Sequence, residues 1–171
     1  MVASQFQKVQ IIQAPSRSAI VGELSVFLAG TTTKSSYPDW RQALIEAVSH
    51  LPITVLNPLR LDWDHTWGPE QISAQVEWEL DMQELADVVI VFFGPETDAP
   101  ISLLELGLSA RSGKAIVACH RDYTKRVNVE IVCRRFGLEF IHADVDLAES
   151  VIKKGHESIE AIPGQALKLT R

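Results

Sequence analysis

Four short runs, "LSVFLAG" at 24–30, "ITVLNP" at 53–58, "VVIVFF" at 88–93 and "KAIVACH" at 114–120, are apolar at nearly every position rather than at every second one. Strands of this kind need burial on both faces, and an open parallel sheet covered by helices provides it. The intervening segments carry apolar residues at helical spacing, such as Trp40, Ala43, Leu44, Ala47 and Leu51 in "DWRQALIEAVSHL". Helices are also predicted over "QISAQVEWELDMQELADV" (71–88), from Pro100 onward, over "RVNVEIVCRRFG" (126–137) and over "DVDLAESVIKKG" (144–155), with a final short strand "LEFI" at 138–141.

The expected fold is therefore α/β, a single-domain open parallel five-stranded sheet flanked by helices, Rossmann- or flavodoxin-like, in strand order 2-1-3-4-5. With 171 residues the chain suits one domain. We place that domain at 23–155, after an extension at 1–22 with one short strand around "VQII", and before a tail at 156–171. The net charge of −6 argues against a nucleic-acid polymer or an anionic membrane as partner. "VVIVFF" is too short to cross a bilayer and no leader is visible, and the two cysteines, Cys119 and Cys133, suit reduced thiols in the cytoplasm.

Ligands of such sheets bind beyond the carboxyl ends of the strands, near the switch in strand order. The loops there hold Gly30 to Thr33, Asn57 to Trp67 and Gly94 to Pro100. Gly30, Thr31 and Thr32 can present backbone N–H groups and hydroxyls to a sugar or phosphate, or form a tight turn. Asn57 closes the second strand. Arg60 offers a fork to a 5′-phosphate, and Trp63 and Trp67 offer faces to a base, or else they are local core. "DWDH" at 62–65 lacks ligands at a suitable spacing, so neither a metal nor a cofactor is expected.

One acid stands out. Ile101, Leu104, Glu105 and Leu108 share a helical stripe expected to face the core, and a lone carboxylate there is costly unless it is paired, hydrogen-bonded or protonated. It either caps a backbone or pairs with Arg60 or Arg111, or it is functional. Asp81, on the preceding helix with Glu77 and Glu84, and Asp98, in the loop before Pro100, are acids that can reach the same crevice; both also have ordinary surface or turn readings. Two carboxylates in a partly dry crevice are pushed apart in pKa, which suits glycosyl chemistry: one attacks or stabilises an oxocarbenium-like carbon while an acid protonates the leaving group.

The segments "VFLAGTTT", "DWRQALIEAV", "VLNPLRLDWD", "QVEWELDMQELADVVIVFF" and "PISLLELGLSARSGKAIV", in that order over roughly residues 24–140, resemble the nucleoside 2-deoxyribosyltransferase family and its nucleotide N-glycosidase relatives. "LLELGLSARSGK" is similar to the family's Glu-Leu-Gly-x-Ala-x-x-x-Gly-Lys signature. The resemblance implies that Glu105 is a nucleophile forming a glycosyl-enzyme intermediate, and that Asp81 helps bind the base and manage its proton. Asp98 then falls near a further family acid, at a slightly different spacing. Ser102, on the Glu105 helix, joins the candidate substrate contacts. Asn128 resembles an asparagine that a neighbouring subunit lends to the sugar's 5′ end, which implies a homo-oligomer, dimer or larger; its ordinary reading is a helix N-cap. Where the family's transferases carry a tyrosine that touches the nucleophile, this chain has Phe27.

The implied function is cleavage of the N-glycosidic bond of a small-molecule (deoxy)nucleoside or nucleotide, with transfer to another base or to water. An NAD-like dinucleotide glycohydrolase and a non-catalytic nucleotide sensor are the alternatives.

Overall fold

The computed structural model describes residues 8–32, 39–95 and 97–143. The helix expected at 144–155, the tail and Thr33 lie outside them. The elements run β1 (Gln10–Gln13), β2 (Leu24–Gly30), α1 (Trp40–Ala47), β3 (Ile53–Asn57), α2 (Pro69–Leu85), β4 (Val88–Phe93), α3 (Pro100–Ala110), β5 (Ala115–His120), α4 (Arg126–Phe136) and β6 (Glu139–Ala143).

All strands are parallel, in the order β1-β3-β2-β4-β5-β6. The sheet thus has six strands, not five. The sixth is β1, from the stretch read as an extension, which pairs with β3 from Gln10–Thr54 to Gln13–Asn57. With that edge strand set aside, the other five follow 2-1-3-4-5. The short strand read around "VQII" is this one, and side chains hold it in place: Gln13 Nε2 donates to the Leu59 carbonyl and Asn57 Nδ2 to Gln13 Oε1.

Alternate residues of the strands feed two cores. Leu24, Val26, Leu28, Ile90 and Ile116 meet Trp40, Leu44 and Ile45 of α1 on one face. Phe27, Ala29, Val89, Val91 and Val117 meet Trp78 and Met82 of α2, Leu106 and Ala110 of α3, and Val129 and Cys133 of α4 on the other. This two-sided burial is why β2, β3 and β5 are buried at every position and read as unbroken apolar runs. Helix ends follow local chemistry: Asp39 accepts from the Arg41 N–H ahead of α1, Pro69 opens α2, and Gly137, at φ 68°, ends α4 in the left-handed region.

One expectation about α3 is overturned. Its apolar stripe does not face the core: Ile101, Leu104 and Leu108 are 61%, 60% and 55% exposed, while Ser102, Glu105, Leu106, Ser109 and Ala110 are buried. Both faces of this helix carry aliphatic residues, so periodicity alone cannot choose between them, and the smaller residues pack against the sheet. Glu105 still points inward. Among the described residues, no helix is long and apolar enough to cross a membrane.

Candidate active site

The chain leaves β2 for α1 and β3 on one side, and α2 then crosses to β4 on the other, so the switch in strand order lies between β2 and β4. The carboxyl end of β2 is tied down firmly there. Gly30 has φ 127°, and a Cβ on it would stand 2.4 Å from the Phe92 carbonyl oxygen, so no other residue fits. The Thr31 N–H donates to the same carbonyl at 2.9 Å, and the Thr31 hydroxyl accepts from the Gly94 N–H at 3.0 Å. Arg41, at the start of α1, reaches over this edge and donates to the carbonyls of Leu28, Gly30 and Thr31 at 3.4, 2.8 and 3.0 Å.

Glu105 sits on the buried face of α3, 7% exposed. Gln83 Nε2 of α2 donates to its Oε1 at 3.2 Å. Burial pushes the Glu105 carboxyl up to about 7, and the carboxylate of Glu79 pushes the same way; Arg41 and a backbone hydrogen bond at Gly30 pull it down. Glu79 is itself raised by burial, against a hydrogen bond from Gln75 and the charge of Arg41. Arg41 is 2% exposed and lowered to about 10 by burial, although Asp39, Glu105 and Glu79 favour its charged form. A buried carboxylate, a half-buried one and a buried guanidinium therefore act on one another at the switch point.

Helix α2 is built for this corner. Gln75, Glu79 and Gln83 follow at four-residue intervals beside the buried Trp78, Met82 and Ala86, while Ile72, Val76 and Leu80 on the far side are about half exposed. Gln75 Nε2 donates to Glu79 Oε1 at 2.8 Å and to the Pro58 carbonyl at 2.9 Å, linking the second carboxylate to the loop after β3.

The other candidates are distributed more widely. Asp81 is exposed and paired with Arg17 at 2.7 Å, away from Glu105. Asp98 is exposed at the rim; Lys125, at 2.6 Å, holds its carboxyl below the usual range. Ser102 is buried on the Glu105 face of α3. Gly30 and Thr31 line the edge of β2, and Thr32 follows them, exposed. Asn57 is buried and accepts from the Leu59 N–H at 3.1 Å, so it shapes the loop entry. Arg60 has its fork filled by Asp62, at 2.7 and 2.5 Å, and stacks on Trp67. Trp63 packs edge-on to Trp67 and remains exposed. Asn128 is exposed in the first turn of α4, whose N-cap is Lys125. Neither Arg60 nor Arg111 pairs with Glu105; the nearby cation is Arg41.

Arg41, Glu79 and Gln83 are candidate residues that periodicity does not single out. The buried stripe Trp78–Met82–Ala86 is the signal that places Glu79 and Gln83 beside the inner face, while Leu85 is exposed. Among the described residues, no group of three or more His, Cys, Asp or Glu could hold a metal ion.

In an open parallel sheet the switch point is where ligands bind, and neighbouring carboxylates there are the groups that acid–base or nucleophilic chemistry uses. The family model for "Nucleoside 2-deoxyribosyltransferase like" proteins matches residues 23–123, which spans β2 to β5 and includes every residue of this corner. The chain belongs to that family, which implies small nucleosides as substrates and a deoxyribosyltransferase-like class of activity. A comparison with curated proteins finds no match.

Proposed function

We propose that the protein cleaves the N-glycosidic bond of a nucleoside or nucleotide, with Glu105 attacking the anomeric carbon and Glu79, rather than Asp81, as the second carboxylate. The observation that carries this is the burial of Glu105 at the ligand edge beside another carboxylate, under a cation already engaged by three carbonyls.

Between their two titrations the pair shares one proton. Handing that proton to the departing base leaves Glu105 ionised, and its oxygen forms the ester bond to C1′ as the C1′–N bond breaks. A second base then yields a new nucleoside, and water yields free sugar; with the proton returned, the site is restored. Gly30 and Thr31 present the β2 edge to the sugar, with Ser102 near the nucleophile. Trp63 offers the exposed ring for a base, and Asp98 with Lys125 forms the rim. Arg60 meets a phosphate only by giving up Asp62.

We also infer self-association. Ile101, Leu104 and Leu108 on α3, with Val127 and Ile131 on the adjacent α4, form an exposed aliphatic surface around Asn128. Surfaces of this type mark interaction sites, and a second copy seated there brings its own Asn128 close by.

The test is chromatographic release of free base from nucleosides, deoxynucleosides, their 5′-monophosphates and NAD, with and without an acceptor base. Release that disappears in Glu105→Gln supports the reading, and a new nucleoside formed only with acceptor makes the enzyme a transferase. Absence of release from the whole panel would overturn it in favour of a nucleotide-binding sensor.

A further inference from the structure

Gln83 is 6% exposed, yet its amide oxygen is buried without a hydrogen-bond partner while its Nε2 points at Glu105. An unpaired buried acceptor is unfavourable, so the orientation of this amide needs a cause. The opposite orientation would put an oxygen against the Glu105 carboxylate. The ionised form of Glu105 therefore favours the orientation seen, with Nε2 toward it.

Among the described residues Gln83 is the one side chain that donates to the Glu105 carboxylate. The Thr31 hydroxyl at the nearby β2 edge is engaged with Phe92 and Gly94. Glu79 on α2 is a like charge, and Arg41 on α1, itself acted on by Asp39, aims one N–H from each of its three nitrogens at the carbonyls of Leu28, Thr31 and Gly30. A backbone hydrogen bond at Gly30 is the remaining contribution, and α2 itself is anchored at this end by Lys114, whose Nζ donates to the carbonyls of Gln83, Glu84 and Ala86.

We propose that Gln83 is a positioning residue that holds the ionised Glu105 carboxylate through its amide Nε2. Its role rests on Glu105 being the nucleophile only for its effect on rate; the effect on Glu105 itself does not depend on that reading.

The experiment compares wild type with Gln83→Met, which has no donor, and Gln83→Glu, which keeps the shape and loses the amide. The ¹³C carboxyl signal of Glu105, assigned by its loss in Glu105→Gln, is titrated in each. Both variants are expected to raise its midpoint by about one pH unit or more, since a hydrogen bond to a charged group is lost. In base release this reads as an acid limb of kcat/KM moved upward, with about ten-fold loss at pH 6, near-parity at pH 9 and little change in KM. A Glu105 midpoint unchanged in a folded variant overturns the proposal, even if no substrate is ever found. Should both variants fail to fold, wild type decides: the Gln83 side-chain N–H signals are expected to shift at the Glu105 midpoint, and signals that stay constant through it overturn the proposal.

Discussion

Replacing Glu105 with Gln is expected to stabilise the protein, by an amount that is near zero below pH 4.5 and grows as pH rises toward about 7. In the folded chain the carboxyl is raised from its ordinary 4.5 to about 7, chiefly by burial. The folded state therefore binds the proton more tightly than the unfolded one. The stability linked to this group is present in full below pH 4.5 and is lost as pH rises through about 7. The loss amounts to about 3 kcal/mol once both states are ionised. Glutamine resembles the protonated acid in shape and never ionises, so it escapes that loss. Urea unfolding followed by the fluorescence of buried Trp40 and Trp78 should show the variant and wild type nearly equal at pH 4.5. At pH 8.5 the variant should be more stable by about 3 kcal/mol, or about 6–12 °C in Tm for a chain of this size. A gain of equal size at both pH values, or a destabilisation that grows with pH, would refute a Glu105 carboxyl raised by burial. Activity should move the other way, as expected where a strained charge serves a reaction.

Glu79→Gln should lower base release by about 10²-fold while leaving Asp81→Asn within a few-fold of wild type, measured as kcat on one substrate. Arg41→Met removes the donor to the Leu28, Gly30 and Thr31 carbonyls and a neighbouring positive charge, so it should cost about 3 kcal/mol in urea unfolding and raise the Glu105 carboxyl further. Leu104→Glu, at a position 60% exposed, should leave the melting temperature of the fold nearly unchanged and reduce the mass seen by light scattering to that of a single chain.

The sheet was legible because its strands are buried on both faces, which leaves an unmistakable run of apolar residues in β2, β3, β4 and β5. Strand β1 was legible around "VQII", but its place as the sixth strand depends on contacts with β3 and the Leu59 loop that no local pattern encodes. Glu105 was legible as an acid among aliphatic residues, although the stripe that drew attention to it faces outward. Its partners were not. Glu79 and Gln83 look like ordinary surface positions until α2 is rotated onto the Trp78–Met82 face, and Arg41 is one basic residue near a helix start whose destination is set by the bend of β2 at Gly30. Asp81 carried the expected role on resemblance, but the ion pair with Arg17 holds it outside the corner.

The most direct measurement concerns the covalent step. The protein is incubated with a base-releasing nucleoside in the absence of acceptor, quenched in acid, digested and examined by mass spectrometry. The account predicts one added sugar residue on the peptide that contains Glu105, absent from Glu105→Gln. Base release that proceeds at full rate in Glu105→Gln, with no sugar on that peptide in wild type, would contradict it.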